Sequence, residues 1–501
     1  MSTLTRLGRN LQFSFYFRIT KVLSLLFIVP FILKRVDPGL YGLNVLLLSM
    51  VGYFNIFDLG LTAGISRFTA KFMGEDKKDA LVDLLNIGIK VFTLLGVVAF
   101  ISLLLLSSSY HKVLDVDKNI ILEGRILFYI YAFSTFLFLF YAPFRSILYG
   151  IQREDIISKI GLVITLFNIP LAIGILIYLK SYVFYIFSLQ LLTVLLMCLI
   201  IYFVFKLLPY LKFKFTGTSK MVYKQVMGFS GLYFLSGIFG IILFQVDNIV
   251  IGIFLGMGAI TMYSIAFTIH QQIRMLNSLL GSPTYYILTT EFAKDDNQQT
   301  KIIVTNVAQM HIGILLPALI ITIINVDHFV IAWVGEEFTG AIMPAKILLG
   351  YWFLNIITEP LSQAVVGGLG KPIEIVKING FMAVANLILS IILVQYIGIL
   401  GVAMGTTIPF IITNSYYIFK FCGILSIPVV SFFKKAIIPN IPHIFLSVLL
   451  SLTVHALMSS PNLFEVLGLM GTCYGVTMLV AYVLLDMERK TIVKEVIRLR
   501  V

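Results

Sequence analysis

The sequence predicts an all-α polytopic membrane protein with about 14 transmembrane helices, arranged as two six-helix parallel repeats and an appended helix pair. Of its 501 residues, 59% are hydrophobic and only 12% are charged. A soluble domain carries roughly 25% charged and about 45–50% apolar residues. This composition excludes a water-soluble globule and a disordered chain. Only three cysteines are present, which excludes a disulfide-stapled secreted scaffold.

Apolar stretches long enough to cross a bilayer, which takes about 20 residues, recur along the whole chain. Arg6 and Arg9 precede the first stretch, but Arg18 and Lys21 interrupt it and no small-residue cleavage motif follows. We therefore expect the first span to be retained rather than cleaved as a signal peptide. Hydropathy places the predicted spans at 12–34, 40–64, 83–106, 124–149, 156–179, 182–205, 228–255, 261–289, 302–324, 342–366, 373–396, 399–421, 436–458 and 463–485.

The net charge of +13 has a topological explanation. When the N-terminus is placed inside, 25 of the 37 Lys and Arg residues fall on the cytoplasmic side and seven on the outer side. Cytoplasmic segments of membrane proteins carry an excess of these residues. We therefore predict that both termini are cytoplasmic, in a multi-pass protein of the cytoplasmic membrane. The basic charge then gives no reason to expect nucleic acid as a partner.

An internal repeat supports two homologous halves. Pro143 and Asn168 in the first half recur as Pro360 and Asn386 in the second, with glycine and lysine matches between them. An even number of helices in each half makes the repeat parallel, a pattern that is found in secondary transporters with the site at the repeat interface. The predicted domains are an N-lobe at 1–213, a C-lobe at 214–425, appended helices at 426–485 and a cytoplasmic tail at 486–501.

Several short motifs then carry a resemblance to a known family. They are Asp37–Gly42, Phe57–Leu61 followed by Arg67 and Phe68, and Val246–Gly252 followed by Tyr263. With the 14 spans and the repeat, the chain resembles the O-antigen-type polysaccharide flippases of the multidrug/oligosaccharidyl-lipid/polysaccharide exporter superfamily. The resemblance covers nearly the whole chain.

The resemblance implies a function in polysaccharide or lipopolysaccharide biosynthesis in a bacterial or archaeal cytoplasmic membrane. Such proteins translocate polyprenyl-diphosphate-linked oligosaccharides from the cytoplasmic to the outer leaflet, by alternating access of two lobes around a central cavity. The implied partners are this lipid-linked substrate, membrane lipids, and the polymerase and glycosyltransferases of the same pathway. No cofactor is implied, and we expect coupling to H⁺, Na⁺ or the membrane potential.

Cations inside the predicted spans are the first candidate site residues. Arg18 and Lys21 are spaced i, i+3 and share one face of the first helix. Arg274 lies midway along the span 261–289. Each such cation costs about 2.5–3.5 kcal/mol near mid-bilayer, and a water-filled cavity that accepts a diphosphate would offset this cost. The alternatives are snorkelling to the headgroups for the first helix and a structural ion pair for Arg274.

Polar residues near these cations complete the predicted substrate-binding set. Tyr263, His270 and Asn277 share a helix face with Arg274. His270 is expected to contact substrate or relay protons, or else to be a satisfied packing histidine. Asn355 and Glu359 share a face of the span 342–366. Glu359 precedes Pro360, so it is expected to contact a sugar or a coupling ion, or else to repair the proline kink.

Two further acidic residues are candidates for coupling and gating. Asp247, together with Glu359, is the predicted coupling residue, because a carboxylate in lipid should be neutral or paired. Its alternative is a static salt bridge to Arg274. Asp58 and Arg67 are predicted to form a gate pair at the cytoplasmic end of the second span, with helix packing as the alternative reading.

Other function classes remain as alternatives. No GxxxxGK[ST] phosphate loop, HExxH or CxxC motif occurs, so neither ATP-driven export nor an enzyme is predicted, and no metal site is expected. A cation-coupled multidrug antiporter of the same superfamily is one alternative, although Arg18 and Lys21 should repel cationic drugs. A membrane polysaccharide polymerase or ligase is the other, although no predicted outer loop is large enough to suggest a catalytic domain.

Overall fold

The computed structural model describes residues 3–54, 56–114, 116–214, 219–225, 239, 245–293, 297–369, 373–458 and 462–484. The chain divides into two compact units, Met1–Thr261 and Met262–Val501. Helices account for nearly all of the described residues, and no strand occurs among them. The predicted all-α class is therefore confirmed. The predicted lobe limits at 213 and 425 follow the sequence repeat and stay predictions.

The longer helices among the described residues of unit 1 are eight in number. They are α1 (Thr3–Leu33), α2 (Pro38–Phe54), α3 (Ile56–Gly74), α4 (Lys78–Val113), α5 (Ile121–Gly150), α6 (Glu154–Gly174), α7 (Tyr182–Leu207) and α8 (Gln245–Phe254). A π-helical turn, Ile175–Leu179, extends α6.

Unit 2 continues the helical pattern, and its first helix begins in the last residues of unit 1. The helices are α9 (Met257–Phe292), α10 (Asn297–Val334), α11 (Ile342–Gly350), α12 (Trp352–Gln363), α13 (Ile373–Ile397), α14 (Ile399–Ile424), α15 (Val429–Ala436), α16 (Ile441–Leu457) and α17 (Leu463–Leu484). Five π-helical residues, Ala364–Gly368, follow α12.

Eleven stretches among the described residues are long and apolar enough to cross a membrane. The chain is thus a multi-pass membrane protein, as predicted. Three of the 14 predicted spans are not among the eleven. The span 40–64 is covered by α2, which has 17 residues, and by the first half of α3. The span 228–255 lies largely outside the described residues. The span 261–289 lies in α9, which has 36 residues and is less apolar because of its polar face.

The internal repeat reappears as equivalent contacts in the two units. In unit 1, Gly150 at the end of α5 packs on α3, where an added Cβ would come within 2.5 Å of Thr69 Cβ. In unit 2, Gly368 after α12 packs on Phe292 of α9, where an added Cβ would collide with the ring. The sequence repeat pairs Ala70 with Ala293. The contacted residues Thr69 and Phe292 directly precede these two alanines. The same local packing therefore occurs at matched positions.

Helix α1 is held on α6 by a buried carboxylate. Asp155 is 1% exposed and receives Arg9 Nη2 at 3.0 Å and Arg153 Nε at 2.9 Å. One turn along α1, Ser14 Oγ donates to Glu154 Oε1 at 3.0 Å. These contacts fix the rotation of α1 and therefore the direction in which its membrane cations point.

The basic segment after α7 folds back on unit 1. Lys214 Nζ lies 3.1 Å from Asp83 Oδ1, and the backbone N–H of Ser219 donates to Asp83 Oδ2 at 3.1 Å. Asn86 donates to the Lys212 carbonyl at 2.9 Å and accepts from the Lys214 N–H at 2.6 Å. The start of the segment that joins the two halves is thus anchored to the first turns of α4.

Candidate substrate-binding residues

Helix α9 carries the polar face that the sequence predicts, but the residues of this face differ in how far they are buried. Tyr263 and His270 are each 1% exposed, and Asn277 is 7% exposed. The Phe267 ring stacks between the first two, with centroid distances of 6.1 Å to Tyr263 and 5.4 Å to His270. Arg274, on the same face, is exposed. Buried polar residues and the exposed Arg274 therefore share one face of α9.

Helix α12 meets this face of α9 through three of its side chains. Trp352 Nε1 donates to His270 Nδ1 at 3.1 Å. Asn277 Nδ2 donates to Asn355 Oδ1 at 3.3 Å. An added Cβ at Gly281, one turn further along α9, would lie 3.4 Å from Glu359 Oε1. The two helices therefore run parallel here, and the structure brings together the predicted residues of both.

A histidine of α10 closes this group from a third side. His311 is fully buried, and its Nε2 lies 2.9 Å from Asn277 Oδ1. Asn277 therefore bridges α10 and α12. We call His270, Arg274, Asn277, His311, Asn355 and Glu359 the polar cluster.

Arg274 and Glu359 are the charged members of the polar cluster. Tyr351 is near enough to interact electrostatically with both of them. Gln363 Nε2 donates to Glu359 Oε1 at 2.6 Å, one turn along α12. The cluster therefore combines a cation, a carboxyl group and several amide and imidazole groups, a set that can hydrogen-bond both sugar hydroxyls and phosphate oxygens.

The α1 cations are exposed, as a cavity-lining role requires. Arg18 and Lys21 both lie on the exposed side of α1, whereas Ser14 and Ser24 of the same helix are in part or fully buried. Neither cation has a hydrogen bond or an ion pair with any residue that the structure describes. Membrane cations that no protein group neutralises are a functional hypothesis by default.

Asp247 on α8 is 2% exposed and lies in unit 1. The Tyr53 hydroxyl of α2 is within its electrostatic range. The neighbouring Asn248 Nδ2 donates to Ser49 Oγ at 2.7 Å, which fastens α8 to α2. Arg274 belongs to the other unit, so the predicted salt bridge between Asp247 and Arg274 stays a prediction, as does the coupling role.

The predicted gate pair is described only in part. Arg67 is exposed on α3, but the side chain of Asp58 lies outside the described residues. The pairing between them stays a prediction. Arg67 is placed close to the α3–α4 turn, where Lys77 Nζ contacts Glu75 Oε2 at 2.7 Å and lowers the pKa of that carboxyl.

Sequence reasoning missed His311, Trp352 and Gln363 as members or neighbours of the polar cluster. A signal for His311 was present, because it is a polar residue in an otherwise apolar segment, close to Gln309. The signal does not say which helix the imidazole faces. For that, the packing of α9 against α10 and α12 was needed.

The described chain is therefore an all-helical, multi-pass protein whose second unit carries the polar cluster. A family model described as MatE matches residues 44–173 of the chain. A curated relative, the probable low-salt glycan biosynthesis flippase Agl15 of Haloferax volcanii, is 23% identical over 204 residues. That match covers 40% of this chain and 43% of the relative, so the chain spans less than half of the relative's length.

Solved transporter structures share the whole fold. The lipid II flippase MurJ in an inward closed conformation matches with a TM-score of 0.71 at 15% identity, covering 94% of this chain and 98% of that chain. An inward-facing multidrug-resistance MATE transporter of the MOP superfamily matches with a TM-score of 0.64 at 15% identity, covering 82% and 95%. The resemblance to the flippases of this superfamily that the sequence indicates is therefore confirmed, and the fold is that of MOP-superfamily transporters.

Proposed function

We propose that the protein is a flippase that moves a polyprenyl-diphosphate-linked oligosaccharide from the cytoplasmic to the outer leaflet. In this proposal both termini are cytoplasmic, and two lobes give alternating access to a cationic cavity. The glycan belongs to an O-antigen-type or related surface polymer, made by glycosyltransferases and a polymerase of the same pathway. The match to a glycan flippase supports the substrate class.

The observation that carries the proposal is the exposure of three membrane cations. Arg18 and Lys21 on α1 and Arg274 on α9 all belong to the exposed residues of their helices. A diphosphate offers oxygens that form charge-assisted hydrogen bonds with such groups, and these are stronger than neutral ones. On the same face of α9, Asn277 is hydrogen-bonded to both α10 and α12, which fixes this part of the helix.

Replacing Arg274 tests this function. Proteoliposomes would contain a polyprenyl diphosphate that carries a fluorescent disaccharide, and a membrane-impermeant reductant would report the labelled headgroups in the outer leaflet. Arg274→Ala should slow translocation roughly ten- to hundredfold, because a hydrogen bond to a charged group contributes about 1.5–3 kcal/mol. Arg274→Lys should lose less, since it keeps the charge.

The matched control is Arg35→Ala. Arg35 is also exposed, but it lies just beyond α1 over the Phe31 ring, with its guanidinium carbon 3.9 Å from the centroid. It has no place in the proposed cavity, so the variant should translocate at the wild-type rate. Equal rates for Arg274→Ala and Arg35→Ala would remove Arg274 from the site.

Coupling is proposed to depend on Asp247. Its carboxyl is 2% exposed on α8, so a change in its protonation alters the energy of the α2–α8 contact. Asp247→Asn resembles the protonated state and should flatten the pH dependence of translocation in the same proteoliposomes. Asp79→Asn, which changes an exposed residue of α4, should leave the profile as it is. A wild-type profile in Asp247→Asn would assign Asp247 to structure alone.

A cation-coupled drug antiporter is the second candidate, because MATE transporters share this fold. It requires a cavity that accepts organic cations. The exposed Arg18, Lys21 and Arg274 oppose such ligands by charge repulsion. Uptake of a cationic dye into energised proteoliposomes, with no movement of the labelled lipid-linked sugar, would favour the antiporter over the flippase.

A further inference from the structure

Three side chains of types that commonly bind metal ions lie close together in unit 2, outside the polar cluster. Asp327 and His328 lie on α10, and His455 lies near the end of α16. One donor atom from each residue lies within 4.8 Å of those of the other two. The two imidazole rings are 4.4 Å apart between centroids, and His455 Nδ1 is 3.6 Å from Asp327 Oδ1. None of these residues takes part in the proposed transport site.

A hydrogen bond orients the imidazole of His328, whereas one ring nitrogen of His455 makes no hydrogen bond with the described residues. His328 Nε2 lies 3.2 Å from the His455 carbonyl oxygen, and a carbonyl can only accept, so this nitrogen carries the proton. An N–H that donates to a backbone carbonyl is the usual arrangement of a metal-ligating histidine. His455 Nδ1 is buried and has no hydrogen-bond partner among the described residues. A buried polar atom without a hydrogen bond requires an explanation, and a bound ion is one.

The spacing suits a small divalent cation with mixed nitrogen and oxygen ligands. Two ligands at 2.0–2.1 Å from a tetrahedral Zn²⁺ are roughly 3.4 Å apart. The 3.6 Å between His455 Nδ1 and Asp327 Oδ1 is already close to this value. Mg²⁺ and Ca²⁺ prefer sites made of oxygen, so the two imidazoles select against them.

We propose that Asp327, His328 and His455 form a binding site for Zn²⁺ or a similar borderline divalent cation, with the remaining coordination position open to water. The cation would link α10 to α16 within unit 2. Lys346 Nζ lies 3.8 Å from Asp327 Oδ2 and competes with the cation for that carboxylate. With both termini inside, as the sequence predicts, this end of α10 faces outward, so the site would respond to external metal.

The full chain, purified in detergent without a histidine tag and stripped with a chelator, provides the test. Equilibrium dialysis against Zn²⁺, with metal measured by mass spectrometry, should find one ion per chain. His455→Ala and His328→Ala should each lower the affinity at least about tenfold. Lys346→Met should raise the affinity, because it removes the competing charge. An excess of Mg²⁺ should not displace the ion.

The matched control is His111→Ala, which removes one of the chain's six histidines from α4 in unit 1 and should bind Zn²⁺ as the wild type does. Asp327→Asn keeps the side-chain shape, so it serves if an alanine variant fails to fold. The d–d absorption of bound Co²⁺ should show nitrogen ligation in the wild type and lose it in His455→Ala. Equal Zn²⁺ binding by wild type, His455→Ala and Asp327→Asn would overturn the proposal, as would absence of binding by folded wild type.

Discussion

Asp155 shows how one buried carboxylate can position a helix that carries candidate function. Its carboxylate receives Arg9 and Arg153, and Lys159 Nζ lies 3.9 Å away. Its backbone N–H donates to Asn10 Oδ1 at 2.9 Å. Two of these partners belong to α1 and two to the region around the start of α6. The charge of Asp155 thus holds the N-terminal part of α1 against α6.

Asp155→Ala should therefore lower the free energy of unfolding by about 2–3 kcal/mol, since it removes several hydrogen bonds to a buried charged group and leaves partly buried cations without their partner. Thermal unfolding of the detergent-solubilised protein would measure the loss. Asp79→Ala is the matched control, because Asp79 is likewise the second residue of its helix but is exposed. A loss as small as that of the control would mean that α1 is held by apolar packing alone.

Periodicity in the sequence identified the polar face of α9 but could not predict which residues of that face are buried. Tyr263 and Arg274 fall on one face, yet Tyr263 is 1% exposed and Arg274 is exposed. The angular position of a residue follows from 3.6 residues per turn. Its burial depends on which neighbouring side chains cover it, and those come from distant segments. His311 was missed for the same reason, because its contact with Asn277 joins residues 34 positions apart.

At the scale of elements, small residues let helices α13 and α14 pack closely. Gly401 and Gly405 of α14 form a GxxxG pattern, which allows helices in membranes to pack closely. An added Cβ at Gly405 would come within 2.6 Å of the Ser390 backbone nitrogen. Beside this contact, Asn386 Nδ2 of α13 donates to Thr406 Oγ1 at 2.9 Å. Side-chain hydrogen bonding and backbone contact thus coincide.

Gly405→Leu should separate α13 from α14 and destabilise the protein by about 1–3 kcal/mol, as overpacking does. Gly423→Leu is the control on the same helix, because nothing lies within 4 Å of a Cβ there. Thermal unfolding in detergent, read by size-exclusion chromatography after heating, would compare the two. Equal stability of both variants would show that the helix pair tolerates a wider spacing.

At the scale of the whole molecule, the fold class could be predicted because hydropathy and charge are properties of consecutive residues. A run of about 20 apolar residues forms a membrane helix whatever its neighbours are. The span 261–289 is less apolar than the others, because one face of α9 carries polar residues such as His270 and Asn277. Polar residues on one face of a membrane helix therefore weaken the hydropathy signal that identifies the span.

At the scale of the whole molecule, we predict that water reaches the positions of Arg18 and Arg274. An exposed side chain of a membrane protein faces either lipid or an aqueous cavity, and chemical labelling separates the two. In a background with Cys198, Cys422 and Cys473 replaced by alanine, Arg18→Cys and Arg274→Cys should react with a charged, membrane-impermeant thiol reagent. The reagent attacks the thiolate, which forms in water but is disfavoured in hydrocarbon.

Leu191→Cys supplies the comparison, because Leu191 is 52% exposed on the apolar helix α7 and should face lipid. Its thiol should stay unmodified under the same conditions, although this position is also exposed in the structure. If Arg18→Cys and Arg274→Cys were as unreactive as Leu191→Cys, both cations would lie against acyl chains and no aqueous path would reach them. A diphosphate could not then be bound there, because its charge needs the hydrated, cationic surroundings that this result would exclude.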